Sequence, residues 1–448
     1  MDSPSAVDGA GLNDLYPAHL RTLMDRTEAA LAGAGCDGLI VAAGQPIAMP
    51  FDDQDYPFRA SPWYRWWIPR EDPGACVVVE PGHEPLLLLP QSEDFWHVPG
   101  EMPRDGWAHA LRILPVRSTR ELIQHIPRGR RWAVLGDASA LMELGIPSPP
   151  ALIHHLEYDR AIKTSYEISC IRSANVLAAR AHRAAGRAFL AGAGEFDIHL
   201  AYCSALRHRE SELPYDNIVA IGRHAAVLHY QRMDRDAGTE AGSLLLDAGA
   251  CVRGYAADVS RTHLRAANPE MAALIAALDR LQQSLCAMVR PEQDYVDIHL
   301  QAHLGIGAVL REAGLIRVDG QAAAASGLTS VFFPHGVGHL LGLQVHDAGG
   351  LLADRYGTLR PRPDGHPYLR LTRRLEAGFV VTIEPGIYFT ESLLAHAAVG
   401  ELRALIDWGR VDALRRFGGI RIEDDVATTA TDPENLTRAA FSSLDTGN

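Results

Sequence analysis

Residues 243–264 read SLLLDAGACVRGYAADVSRTHL, and this stretch decides how the rest of the chain is read. Two β-leaning runs, LLLD and GYAADVSR, are joined by a short connection holding Gly249 and Gly254, the pattern of adjacent strands in a hairpin. Such a hairpin lets Asp247 and Asp258 face the same side. Further on, VVTIEPG at 380–386 puts Thr382 and Glu384 on one strand face, and Pro385 and Gly386 end its pairing. In GGIRIEDD at 418–425, alternation puts Arg421 and Glu423 on one face and Ile420 and Ile422 on the other. With His339 in PHGVGHLLGLQVHD at 334–347, five residues of metal-ligand type follow in order: Asp247, Asp258, His339, Glu384 and Glu423. A curved sheet presenting carboxylates inward is the simplest assembly.

The chemistry of such a set follows from its charge. Four carboxylates within a few ångströms cannot all stay ionised unless something positive lies between them. Two divalent cations cancel four negative charges, and one imidazole adds a donor without adding charge. Oxygen-rich donors with a single nitrogen and no thiolate suit Mn²⁺ or Co²⁺ better than a structural zinc. Two ions roughly 3.5 to 4 Å apart can share a water, lower its pKa toward neutrality and stabilise the oxyanion formed when it attacks a carbonyl. The pattern therefore reads as a two-metal hydrolytic site.

Composition sets bounds. At 448 residues with 47% hydrophobic content, two or three domains with sizeable cores are expected. A formal net charge of −13 argues against a nucleic-acid partner. The first residues, MDSPSAVDGAGLND, are acidic and polar without a signal-peptide pattern, and no apolar run is long enough to span a bilayer. Cys36, Cys76, Cys170, Cys203, Cys251 and Cys286 are scattered with no Cys-x-x-Cys pair, which reads as reduced thiols in a cytoplasmic protein.

Two organisations run along the chain. The first third alternates a helical stretch, His19 to Ala34, with short β-rich runs at Gly38 to Ala42, Cys76 to Glu80, Pro85 to Leu89 and Trp132 to Leu135, a mixed α/β domain. A proline-rich loop at Gly145 to Pro150 follows. A new element starts at Lys163, where Thr164 and Glu167 form a capping box ahead of Ile168, Ile171 and Ala174. The domain boundary is placed near Arg160, giving an N-terminal domain over 1–160 and a catalytic domain over 161–448. Helices are predicted at Met271 to Met288 and Asp297 to Ala313, and Gly336, Gly338 and Gly342 leave room for close backbone approach.

The five motifs, in this order and spacing, resemble the pita-bread metallopeptidases, and within them the bacterial Xaa-Pro dipeptidases. FDDQDYPF, EDFWHVP, PYDNIVA, VLHYQ, HPYLRLTR and IEPGIYFTESLL extend the likeness over most of the chain. The resemblance implies an α/β (α+β) pita-bread catalytic domain behind a smaller mixed α/β domain that helps build a homodimer. It implies two divalent ions per subunit, Mn²⁺ first and Co²⁺ or Zn²⁺ as alternatives, held by Asp247, Asp258, His339, Glu384 and Glu423, with Asp258 and Glu423 bridging. Glu384 resembles the carboxylate that shuttles a proton to the departing nitrogen, general acid and base work. His346 is similar to the histidine that hydrogen-bonds the tetrahedral intermediate, and His335 and His229 surround the metal pair, His335 lining the pocket for the released residue.

Further expectations concern substrate. Arg421 either orients Glu423 or pairs with a substrate carboxylate, and Tyr215 is a weaker pocket candidate. Arg370 is the candidate for the free carboxylate of a dipeptide, because a guanidinium can bind it through two parallel hydrogen bonds. Trp96 and Asp53 resemble residues that wall the site, with Asp52 adjacent to Asp53. The implied reaction is metal-dependent hydrolysis of Xaa-Pro dipeptides. A proline peptide bond has no N–H and a restricted ring, so proteases that grip an extended backbone handle it poorly. Three alternatives stay open at this point: an aminopeptidase P acting on longer peptides, a side activity on organophosphate esters, and a non-catalytic binding or scaffold module.

Overall fold

A computed structural model describes residues 9–91, 95, 100–236, 242–265 and 267–445. The chain divides into two compact units, one of residues 1–170 with the segments Arg253–Tyr255 and Leu352–Leu359, the other of the remaining residues to 448. The division falls inside the helix Ser165–Leu190.

The first unit is built on a five-stranded mixed sheet. Its strands are β1 (Gly38–Ala42), β2 (Cys76–Val79), β3 (Leu86–Pro90), β4 (Arg112–Val116) and β5 (Trp132–Gly136), in the order β4-β3-β2-β1-β5. Strand β1, GLIVA, is buried along its whole length because it pairs antiparallel with β2 and parallel with β5. The expected strands are all present. The sequence reading missed β4, RILPV, whose half-exposed side chains give no clear alternation; only its parallel pairing with β3 holds it extended. It also stopped at a loop where Pro150 opens the helix Pro150–Arg160, since proline suits the first helical turn, where its missing N–H costs nothing. The capping box is present: Thr164 N–H donates to Glu167 Oε2 at 2.8 Å and Glu167 N–H donates to Thr164 Oγ1 at 3.4 Å.

Among the described residues, ten short strands follow among helices, all in the second unit except that Tyr255 of β9 belongs to the first. They are β6 (Ile218–Ile221), β7 (Ser243–Asp247), β8 (Cys251–Val252), β9 (Tyr255–Ala256), β10 (Ser260–Leu264), β11 (Val380–Ile383), β12 (Gly386–Tyr388), β13 (Gly419–Arg421), β14 (Asp424–Ala427) and β15 (Glu434–Asn435). They form antiparallel sheets in the orders β10-β7-β6 and β11-β14-β15, with β12 pairing β13 and β8 pairing β9. A bridge between Ser260 and Glu423 joins β10 to the break between β13 and β14.

Strand β7 shows how sequence places the site. Leu244 and Leu246 pack under Ala174, Ala178, Ala181, Ala185 and Phe189 of the helix Ser165–Leu190, and under Ile198 and Tyr202 of the helix Glu195–Leu206. Alanine at successive helix turns lets the sheet come close. Leu245 points the other way, into a cluster with Ala220, Tyr230 and Tyr388, and Asp247 shares that face by the two-residue period. The hairpin differs from expectation in one respect. The strand opposite β7 is SRTHL, with Ser260 facing Asp247, so Asp258 lies in the connection just before β10 rather than within a strand. Likewise GGIRIEDD is not one strand: β13 ends at Arg421, pairing with β12, and β14 begins at Asp424, pairing with β11. Pairing therefore resumes beyond Pro385 with a different partner.

Gly249 allows the turn after Asp247. A Cβ there would lie 2.2 Å from Ala257 O and 2.9 Å from Tyr215 Cε1, so the backbone of the returning segment would have to move. Gly249→Ala is expected to cost about 1–3 kcal/mol, read as a lower denaturant midpoint; an unchanged midpoint contradicts the close approach.

Candidate metal centre

The structure brings Asp247, Asp258, His339, Glu384 and Glu423 into one cluster of the second unit. Asp247 ends β7 and Asp258 precedes β10. Glu384 follows β11, and Glu423 sits in the break between β13 and β14. His339 comes from a loop that pairs with β11: His339 N–H donates to Thr382 Oγ1 at 3.1 Å, Thr382 N–H donates to His339 O at 3.0 Å, and Glu384 N–H donates to Val337 O at 2.8 Å. Gly338 makes that pairing close, since a Cβ there would fall 2.1 Å from Thr382 O.

Single ligand atoms of Asp258, His339 and Glu423 lie within 4.8 Å of one another. His339 Nε2 is 3.5 Å from Asp258 Oδ2 and 3.7 Å from Glu384 Oε1. Its Nδ1 is 2.9 Å from the carbonyl of Leu340, which can only accept, so Nδ1 carries a hydrogen and Nε2 is turned toward the carboxylates. Although burial opposes it, Asp258 and Glu384 raise the His339 pKa, so the place facing these oxygens calls for positive charge, either a proton on Nε2 or a metal ion. Tyr215 strengthens the point. Its hydroxyl lies 2.7 Å from Asp247 Oδ1 and 2.6 Å from Asp258 Oδ1, and one hydroxyl hydrogen cannot satisfy both carboxylates.

The electrostatics agree. Burial first, and then repulsion from Asp258, Glu384 and Asp247, pushes the Glu423 carboxyl well above its ordinary range. Glu384 is pushed up to about 7 by burial and by Asp258 and Asp247, against the pull of His339 and Arg421. Asp247 is raised by burial while Arg421 opposes the shift. Asp258 differs: although burial opposes it, His339 and Tyr215 lower its pKa. Three carboxylates forced toward neutrality beside one held ionised are a donor set that two divalent cations would hold charged, and the residues present fit such a pair.

Arg421 is 4% exposed and organises the surroundings. It donates from Nη2 to Asp247 Oδ2 at 2.5 Å, from Nε to Ser260 Oγ at 2.9 Å and from Nη1 to Tyr388 OH at 2.9 Å. Ser260 in turn donates to Glu423 Oε2 at 2.7 Å. Of its two alternatives, this geometry is that of a residue orienting carboxylates. His335 accepts from Tyr388 OH at Nε2 (2.9 Å) and donates from Nδ1 to Gly336 O (2.8 Å); Nδ1 also lies 3.6 Å from Glu384 Oε2. Burial, then Arg421, lowers its pKa to about 3, so the ring is neutral.

His346 stacks edge-on against His339, with ring centroids 4.4 Å apart, and burial, then His339 and Arg370, lowers its pKa to about 3. Arg370 is an exposed residue whose charge reaches His346, and exposed His229 lies close enough to act on both His335 and His346. Asp53 lies in an exposed loop of the first unit, where Asp52 Oδ1 accepts its backbone N–H at 2.7 Å. Trp96 lies outside the described residues.

Sequence reasoning missed several supporting residues. Ser260 and Tyr388 carry the contacts from Arg421 to Glu423 and His335. Asp425 Oδ2 accepts Asp258 N–H at 3.0 Å and Asn175 Nδ2 at 2.7 Å, while Thr437 donates to Asn175 Oδ1 at 2.6 Å. The acidic run EDD was the available signal for Asp425; Asn175 and Thr437 gave none.

Residues 169–430 match metallopeptidase family M24, and residues 14–158 match the N-terminal domain of Xaa-Pro dipeptidase. An Xaa-Pro dipeptidase of Stenotrophomonas maltophilia is 46% identical over 430 residues, covering 95% of this chain and 97% of that one. An Xaa-Pro dipeptidase of Xanthomonas campestris pv. campestris is 45% identical over 433 residues, covering 96% and 98%. Among solved structures, zinc-substituted E. coli aminopeptidase P in complex with product matches at a TM-score of 0.69 and 23% identity, covering 94% of this chain and 95% of that one, a likeness of fold alone.

The raised Glu384 pKa has a measurable sign. Its folded value of about 7 exceeds the ordinary 4.5, so the metal-free folded protein holds the proton more tightly than the unfolded chain and loses stability as pH rises through that interval. The full loss is on the order of 3 kcal/mol. Compared with Glu384→Gln, which cancels the opposite trend of the buried histidines, the metal-free protein should fall in melting temperature from pH 4.5 to above 7. A flat difference contradicts the electrostatic account.

Proposed function

The chain belongs to metallopeptidase family M24, and from that premise we propose that it is an Xaa-Pro dipeptidase, splitting dipeptides with C-terminal proline into a free amino acid and proline. The observation that carries the chemistry is His339 Nε2 turned toward the carboxylates of Asp258 and Glu384 in one cluster with Glu423 and Asp247. The observation that narrows it to dipeptides is the likeness to Xaa-Pro dipeptidases in both parts of the chain.

Asp247, Asp258, His339, Glu384 and Glu423 would hold the two ions, with Asp258 and Glu423 shared. Mn²⁺ is the preferred ion for four carboxylates and one imidazole, with Co²⁺ and Zn²⁺ as substitutes. When bound, the pair supplies Lewis acidity for the peptide carbonyl and lowers the pKa of water for attack. The chain's own residues do the rest. Glu384 takes a proton from the attacking water and returns it to the departing proline nitrogen, so the proton count closes. Neutral His346 donates to the oxyanion, and the engaged nitrogens of His335 fix its ring as a wall of the pocket. His229 contributes a further polar wall. Tyr215 and Arg421 hold Asp247 and Asp258 in place, and Arg370 receives the dipeptide carboxylate.

The first unit would pair subunits into a homodimer, its Asp53 and Trp96 walling the site of the other subunit. In the loop carrying Asp53, Ile47, Phe51 and Tyr56 are 66%, 110% and 51% exposed, apolar surface that a second subunit would cover. Six free thiols support a cytoplasmic location. Among the described residues, no helix is long and apolar enough to cross a membrane.

Mn²⁺ added to the stripped protein should restore cleavage of Ala-Pro and leave Ala-Pro-Ala nearly untouched. Comparable cleavage of the tripeptide moves the reading to an aminopeptidase, and cleavage of neither refutes it. Arg370→Ala should lower kcat/KM for Ala-Pro roughly tenfold to a hundredfold, the worth of a charge-assisted hydrogen bond. Because that contact serves a carboxylate next to proline, any residual tripeptide turnover should change less; equal losses contradict the role.

A further inference from the structure

A second cluster of ligand-type side chains lies apart from the carboxylates. The helix Tyr295–Glu312 carries His299 and His303 one turn apart on the same face, 1% and 3% exposed. His366 joins them from a turn in which its N–H donates to Pro363 O at 3.1 Å. One ring nitrogen from each of the three lies within 4.8 Å of the others. The rings meet edge-on: His299 and His366 centroids are 4.6 Å apart at 90°, His299 and His303 4.7 Å apart at 87°.

The internal hydrogen bonds do not complete this cluster. Val337 N–H donates to His299 Nδ1 at 3.3 Å, which places the ring hydrogen on Nε2, from where it is donated to His366 Nδ1 at 2.9 Å. His303 Nδ1 contacts Thr329 Oγ1 at 2.8 Å, but His303 Nε2 is buried with no hydrogen-bond partner. A buried polar nitrogen without a partner is costly and calls for an explanation. Burial and mutual repulsion keep the rings neutral, lowering His299 to about 2 and His303 to about 4, while burial lowers His366. Three neutral imidazoles with no carboxylate and no thiolate are the donors that zinc-class ions favour over Mn²⁺, at Zn–N distances of about 2.0–2.1 Å.

We propose that His299, His303 and His366 form a further metal site for a zinc-class divalent cation, with its open position toward solvent on the side of half-buried His366. The site does not depend on the dipeptidase reading. Occupancy requires the His299 hydrogen to move from Nε2 to Nδ1, with no net proton released. That shift removes the acceptor for Val337 N–H. Val337 lies between His335 and His339, and its carbonyl accepts from Glu384 N–H, so loading this site disturbs the loop that supplies the first centre. Phe333 forms a second link, with its ring 5.0 Å from His303 and 4.7 Å from His335.

The test is zinc content after equilibrium dialysis of the stripped full-length chain, compared with His366→Ala and His303→Gln. His366→Ala alters a half-buried turn and is expected to fold; His303→Gln keeps a polar group inside the helix. Cooperative thermal unfolding checks both. Each variant should bind one zinc fewer per chain than the unmodified protein. Equal content in all three overturns the proposal, as does an unmodified protein that stops at the ions of the carboxylate centre.

Discussion

Everything in the second unit turns on crowding four carboxylates into a space that excludes most water. The consecutive residues Glu423 and Asp424 show what this entails. Asp424 is fully buried yet held at about 2, because Arg261 and Arg438 overcome the burial that would raise it, with donors at 2.7 Å each. Glu423, the preceding residue, is driven well above its ordinary range by burial and by Asp258 and Glu384. One carboxylate receives its counter-charge from the protein. The other leaves it to be supplied from outside, which is what a metal ligand must do.

The fold keeps that imbalance in place. Short strands bring each ligand to the end or the break of a pairing, where its side chain is free to turn inward: Asp247 at the end of β7, Glu384 after β11, Glu423 between β13 and β14. A few side chains then lock the ligands against each other. Arg421 grips Asp247 and, through Ser260, Glu423, while Asn175 and Asp425 hold the backbone of Asp258. Because these supports come from different sheets and helices, the centre rests on the tertiary fold rather than on any single hairpin. Such over-determined positions let a cluster of repelling groups persist at a functional site.

Much of this was legible in the sequence, for reasons that can be named. The candidate ligands announce themselves through their sequence contexts, and the folded β7 obeys the two-residue period, with Leu244 and Leu246 opposite Leu245 and Asp247. The capping box at Thr164 and Glu167 was readable because its partners are local. Where the contacts are long-range, local patterns do not reveal them. Asp258 and Glu423 were read as strand residues, but a bridge from Ser260 to Glu423 interrupts both runs. Strand β4 depends on β3 for its conformation, and Asn175, Thr437 and Tyr388 have no pattern that marks them. His299 and His303 are visible as an i,i+4 pair, whereas only the folded chain brings His366 to them.

Diffraction from crystals grown with Mn²⁺, measured near its absorption edge, is the most direct test of the central claim. The account predicts two anomalous peaks bridged by Asp258 and Glu423, one of them within bonding distance of His339 Nε2. A single peak, or peaks away from these carboxylates, would contradict it.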